Sequence, residues 1–170
     1  RWTSSVTTAT KTQQCGSGTA NYFLGGYEVF TSNGAYISRT YNNLLSHSMV
    51  GYYLQVLVVD YWGYGDRVSV TIGSYEVGWT NPLNGINSNG AFRCGTSNQA
   101  DLQLTLYGII PHSGPTLNIT VTNRRSYSSL STSSSGGTIM FNNINLFFTS
   151  SVGSGNTAIY AYPVPSISSY

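Results

Sequence analysis

The sequence predicts an all-β protein: a β-sandwich or jelly roll of antiparallel sheets, with extended arms at both ends. Three observations carry this. Apolar and polar residues alternate with a period of two in several segments. Gly, Asn, Ser and Pro punctuate the chain between those segments. No segment shows a capped i, i+3, i+4, i+7 apolar stripe of the kind an amphipathic helix needs.

Taken in order, residues 1–12 are Thr- and Ser-rich, with Trp2 and Val6 as their sizeable apolar groups. They read as an extended N-terminal arm. The sandwich is expected over residues 13–150. Its first landmark is Tyr52 to Tyr61, apolar on both faces apart from Gln55 and Asp60, which predicts a central strand covered on both sides. Val68, Val70 and Ile72 then alternate with Arg67, Ser69 and Thr71. Leu102, Leu104 and Leu106 alternate with Gln103, Thr105 and Tyr107. Leu117, Ile119 and Val121 alternate with Thr116, Asn118, Thr120 and Thr122, and Ile144, Leu146 and Phe148 with Asn143, Asn145 and Phe147. Each set predicts a strand with one face in a core and one face outside. Residues 151–170 begin with the linker composition of Ser151 to Gly155 and end in a second, more apolar arm carrying Ile159, Tyr160, Tyr162 and Val164.

Composition narrows the function. The chain has 170 residues, room for one domain with a real core, yet only 7% are charged and the net charge is +2. This excludes a coiled coil or charge-rich tail. The basic residues adjoin one another only at Arg124-Arg125, so no nucleic-acid partner is expected. No apolar run approaches the ~20 residues of a membrane-spanning helix. Ser and Thr supply 44 residues, and Ser126 to Tyr170 contains no charge. Such a surface is compatible with glycans or with packing into an assembly. The chain opens at Arg1 without a leader, so a secreted form is expected to have had one removed.

Cys15 and Cys94 lie 79 positions apart and neither belongs to a C-x-x-C pair. They read as one long-range disulfide, with two buried thiols as the alternative. The sequon Asn118-Ile119-Thr120 makes Asn118 a glycosylation acceptor on an outward face. Both features point to an extracellular address. Ser/Thr clusters at 3–12 and 126–135 permit O-glycans.

Four sets of residues carry candidate chemistry. Asp60 and Asp66 bracket a Gly-rich turn and can bind Ca²⁺ with backbone carbonyls, or cap the turn. They are also the only plausible glycosidase pair, without a feature that separates their pKa values. His47 and His112 both enter Ser-rich turns, which places them at one end of the sandwich, as metal ligands given a third donor or as partners of turn backbone. Tyr61, Trp62 and Tyr64 form an aromatic loop suited to stacking on sugars or anchoring an interface. No G-x-S-x-G elbow is present, and no catalytic residue or enzyme activity is expected. Beyond a possible Ca²⁺, no cofactor is expected.

The motifs Cys15, Leu24-Gly25-Gly26-Tyr27, Ile37-Ser38-Arg39-Thr40-Tyr41, Leu44-Leu45-Ser46-His47 and Asp60-Tyr61-Trp62 follow in order, with Asp66, Cys94-Gly95, Pro111-His112-Ser113 and Leu117-Asn118-Ile119-Thr120 after them. Over residues 15–148 this resembles a family of extracellular domains found in protists, notably ciliates and algae. The resemblance implies a secreted β-sandwich with a disulfide and implies no enzyme activity. Ser135-Gly136-Gly137-Thr138-Ile139 stands where that family tends to have Glu-Ser-Trp-Gly-Ile, so a role for that motif's acidic and Trp side chains does not carry over. The arms are similar in architecture to those of fibril subunits that donate a strand.

Two functions follow as expectations. The first is a structural subunit of an extracellular fibril, appendage or coat, a homo-polymer joined by exchange of the C-terminal arm or, alternatively, of the N-terminal one. The second is a secreted glycan-binding, lectin-like module using Tyr61, Trp62 and Tyr64, with or without Ca²⁺.

Overall fold

The computed structural model describes residues 2–6, 12–15, 22–25, 29–59, 62–80, 94, 101–125, 138–152 and 156–162. All regular structure among them is β. The strands are β1 (Thr3–Ser4), β2 (Thr12–Gln14), β3 (Tyr22–Leu24), β4 (Tyr36–Tyr41), β5 (Met49–Val59), β6 (Arg67–Ile72), β7 (Tyr75–Thr80), β8 (Leu102–Pro111), β9 (Leu117–Arg124), β10 (Thr138–Val152) and β11 (Asn156–Tyr162). They form two antiparallel sheets, one in the order β1-β4-β9-β6-β7 and one in the order β2-β3-β10-β5-β8, with β11 also paired to β10. The architecture is the β-sandwich that the alternation predicts.

Alternation decides which side chains meet between the sheets. Ile37, Val68, Val70, Ile72, Leu117, Ile119 and Val121 of the five-stranded sheet are buried, as are Val50, Leu54, Val56 and Val58 of β5. β10 faces a harder problem because it is 15 residues long. Ile139 and Phe141 point into the core at odd positions, whereas Ile144, Leu146 and Phe148 do so at even ones. A register shift between Asn142 and Asn145 reconciles the two sets. One irregular step changes the parity and keeps both halves of the apolar set on one face.

A second, smaller core lies on the opposite face of the six-stranded sheet, formed by Cys15, Phe23, Leu57, Val59 and Met140 with Cys94 against them. The Cys15–Cys94 disulfide is formed, with the Cα atoms 5.1 Å apart. Met140 Sδ lies 3.5 Å from Cys15 Sγ and 3.9 Å from Cys94 Sγ. The Cys94 backbone N–H donates to Asp101 Oδ2 at 2.6 Å, and Asp101 is buried. The covalent link therefore closes over apolar side chains rather than over water.

One expectation needs correction. The run from Tyr52 is covered on both faces only towards its far end: Val56 to Val59 are buried in succession, but Tyr52 and Tyr53 are half-exposed. Leu102, Leu104 and Leu106 alternate as expected and pack against the core, half-buried because β8 ends its sheet and lacks a neighbour's side chains on one flank. Strands of both terminal segments pair within the two sheets. Trp2 is buried with its ring edge-on to Phe141 at 5.2 Å, Val6 packs against the core, and β1 pairs with β4. The sandwich boundary expected at residue 150 falls inside β10, and β11 folds back on β10 as a hairpin with Val152 opposite Asn156 and Leu146 opposite Tyr162. Trp2 is driven in by the large apolar area of its indole.

The turn at Leu24-Gly25 is set by one conformational requirement. Gly25 has φ +119°, and an added Cβ would come within 3.1 Å of the Phe30 ring. Only glycine serves both the backbone angle and the packing of Phe30, which is fully buried.

Removing the disulfide by replacing Cys15 and Cys94 with Ser is expected to lower stability by about 4 kcal/mol, the chain-entropy value for a loop of this length. Denaturant unfolding of the oxidised chain and of the double variant measures it.

Candidate functional site: an apolar groove on the six-stranded sheet

The outward face of the six-stranded sheet divides into two regions. Towards the disulfide it is roofed by the second core. Around Gly51 it is open. Register defines the rows that cross it. Phe147, Gly51 and Ile109 lie opposite one another on β10, β5 and β8, and Asn145, Tyr53 and Tyr107 form the next row. The parity that buries Leu146 and Phe148 turns Phe147 outward, and the parity that buries Val50 turns Gly51 outward.

Apart from Asn145, these rows line an apolar groove of about 750 Å³, bounded also by Thr105 and Thr149. Gly51 is the floor because it has no side chain. An added Cβ there would meet Phe147 Cβ at 3.5 Å, an ordinary contact, so the groove exists for want of a side chain and not through a strained backbone. Phe147 forms one wall and Ile109 the other. Tyr107 is 74% exposed and Ile109 68% exposed, an unusual degree for large apolar side chains on a regular strand. Gln55 Nε2–H donates to Tyr53 Oη at 3.1 Å and fixes that ring in the groove. Beneath the sheet, Tyr52 fills the space that Gly108 leaves: an added Cβ on Gly108 would lie 2.7 Å from Tyr52 Oη. Burial pushes the Tyr52 phenol above its ordinary range.

The residues expected to act lie elsewhere. Trp62 is buried, 1% exposed, and its Nε1–H donates to the Val59 carbonyl at 3.2 Å. It is a core residue and offers no stacking face. The indole is large enough to be drawn under the turn while its N–H is satisfied locally. Tyr64 is 64% exposed in the same turn, whereas Trp62 is buried. Asp66 is fully buried. Its Oδ2 accepts from the Gly63 N–H at 2.8 Å and stands 3.9 Å from Arg125 Nε. The carboxylate caps the turn, which is the alternative to Ca²⁺ ligation. Asp60, Tyr61 and Val164 lie outside the described residues, as do positions 7–11 and 126–135 of the two Ser/Thr clusters. Ile159, Tyr160 and Tyr162 are placed on β11. Asn118 is exposed, as its position in the alternation requires. Its Nδ2–H donates to Thr120 Oγ1 at 3.2 Å, and its Oδ1 accepts from Ser38 and Thr40 at 2.9 and 3.2 Å.

His47 and His112 do meet. Their rings stack at 5.0 Å, and His47 Nε2 lies 2.8 Å from His112 Nδ1. His47 Nδ1 faces the Leu45 carbonyl at 2.6 Å, which only accepts, so that nitrogen carries the proton and Nε2 accepts from His112 Nδ1–H. Among the described residues no three metal-ligating side chains cluster. The pair pins two turns together, with Phe148 edge-on to His47 at 4.8 Å.

Sequence reasoning missed the groove, although a signal was present. Tyr107 and Phe147 both fall on outward positions of their alternating strands, where polar residues are the rule. What the sequence does not show is that β5 lies between them and places a glycine in the gap.

Two outcomes follow. Burial first, and then the neighbouring His47, hold His112 below the ordinary imidazole range, with its hydrogen bond to the Thr116 backbone opposing in part. The unfolded imidazole binds a proton more readily, so this stabilisation is present above pH ~6.5 and is lost as the pH falls below it. Urea unfolding between pH 7.5 and 5 is expected to show falling stability, with a shallower fall in His112→Asn. Asp66→Ala leaves the Gly63 N–H and Arg125 without their buried partner, and a loss of about 3 kcal/mol is expected in the same assay.

No protein-family model and no curated protein matches the sequence. Among solved structures, the chain is similar to a family 35 carbohydrate-binding module from an environmental isolate, at 17% identity over 96% of this chain and 91% of that one, with a TM-score of 0.45. It is also similar to part of a Paenibacillus sp. cycloisomaltooligosaccharide glucanotransferase complexed with cycloisomaltoheptaose, at 15% identity, covering 78% of this chain and 16% of that one, with a TM-score of 0.40.

Proposed function

We propose that the chain is a carbohydrate-binding module that acts outside the cell, and that its ligand platform is the open half of the six-stranded sheet. The observation that carries this is the solvent-facing groove around Gly51, walled by Phe147 and Ile109 and continued by Tyr53 and Tyr107. Sugar rings present apolar C–H faces and a polar hydroxyl rim. A platform for them needs aromatic and aliphatic surface with a few fixed polar groups at its edge. Here the apolar surface is the groove. The polar groups are Thr105, Thr149, the exposed Asn145 and the Tyr53 hydroxyl held by Gln55. All stand on strands, which hold side-chain positions more rigidly than loops do. The Cys15–Cys94 disulfide fits an oxidising compartment, and this supports the extracellular setting.

The reading moves the platform from the Tyr61–Tyr64 loop to the sheet, because Trp62 is buried. A fibril joined by exchange of the C-terminal or, alternatively, the N-terminal arm draws on an arm free to leave its own chain, and here β1 and β11 each pair within the chain's own sheets.

The test is binding of the oxidised chain to a panel of soluble polysaccharides by calorimetry. Tyr107→Ala is expected to weaken binding about tenfold, or 1.4 kcal/mol. Its unfolding free energy should stay within about 0.5 kcal/mol, since the side chain is exposed. No binding across the panel, or binding that Tyr107→Ala leaves unchanged, would overturn the proposal.

A further inference from the structure

Charge is distributed unevenly between the two sheets. The five-stranded sheet carries Arg39 on β4, Arg67 on β6, Glu76 on β7 and Arg124 on β9. None of the strands β2, β3, β5, β8, β10 and β11 contains an Asp, Glu, Lys or Arg. The groove therefore sits on a sheet whose strands offer a ligand no ion pair and no field of one sign.

Resting on the carbohydrate-binding reading, we infer that the groove takes an uncharged glycan, with one sugar ring seated on the Gly51 floor between Phe147 and Ile109. Desolvation decides the class. A uronate or sulfate brought against this apolar surface would give up water without gaining a cation from any strand of the sheet, and burying an unpaired charge is costly. A neutral ring gives up only hydroxyl hydration at its rim, where Asn145, Thr105 and Thr149 replace part of it. Size agrees with this. Strands lie about 4.8 Å apart, so the backbones of β10 and β8 stand roughly 10 Å apart across β5. Side chains rising from both leave a slot one ring wide, and only a residue without a side chain at its centre keeps that slot open.

The experiment compares a neutral galactomannan and a neutral β-glucan with polygalacturonate and a sulfated galactan, by calorimetry on the oxidised chain in 20 and 500 mM NaCl. At least one neutral polymer is expected to bind, with affinity changing less than twofold between the two salt concentrations. The acidic polymers are expected to bind at least tenfold more weakly. Gly51→Leu puts a side chain into the slot, its Cβ at an ordinary contact distance from Phe147, and should lower neutral-glycan affinity at least tenfold, with an unchanged thermal midpoint. If that variant does not fold, Tyr107→Ala serves in its place. An acidic polymer that binds more tightly, loses affinity in high salt and still depends on Tyr107 would overturn the neutral class and leave the module reading standing. Absence of binding by all four polymers would overturn both.

Discussion

A strand has two faces, and a slip of one residue exchanges them. This parity governs β5 and β10, the long central pair of the six-stranded sheet. Because Val50, Leu54, Val56 and Val58 must face the five-stranded sheet, Gly51, Tyr53, Leu57 and Val59 are sent to the other side. Because β10 changes parity between Asn142 and Asn145, it presents Met140 outward before the irregularity and Phe147 outward after it. One choice of face therefore creates the main core, the small core under the disulfide and the groove. The disulfide reinforces this arrangement by covering one half of the outward face. The other half stays open, and its exposed large apolar side chains are those of Tyr107, Ile109 and Phe147.

Much of the sandwich was legible in the sequence because a period of two is a direct record of a half-buried strand. Ile119 and Val121, or Leu146 and Phe148, announce their face by their neighbours. The pairing of Cys15 with Cys94, left open against two buried thiols, was resolved by the structure. Entry into Ser-rich turns pointed His47 and His112 to one end of the sandwich, and the ring stacking and the hydrogen bond between them are visible only in the structure. The site was legible only in pieces. Tyr107 and Phe147 are conspicuous as aromatics in outward positions, yet they are 40 residues apart and become neighbours only through β5. Conversely, Tyr61-Trp62-Gly63-Tyr64 reads as an exposed platform, because a sequence does not say that Trp62 has a backbone carbonyl waiting under the turn. A segment rich in Thr, Ser and scattered aromatics looks free until the sheet edge that it completes is known.

The two outer faces of the sandwich differ in kind. On the five-stranded sheet, Ser38, Thr40, Asn118 and Thr120 hydrogen-bond to one another across β4 and β9. Their donors and acceptors are largely spent on neighbours. The open half of the six-stranded sheet has the reverse character: apolar groups with few internal partners, on strands without charge. A chain with only 7% charged residues can thus hold one face as a closed polar lattice and the other as an exposed apolar one.

Gly51 has a consequence of another order. The groove's floor is backbone, and its walls, Phe147 and Ile109, contribute little to the main core. Substitutions at these positions can therefore accumulate without passing through an unfolded intermediate sequence. A copy with alanine, serine or a bulkier residue at the floor would present a differently shaped outer surface while keeping the contacts between the sheets. The outward face can in this sense vary by single substitutions while the core between the sheets is inherited unchanged.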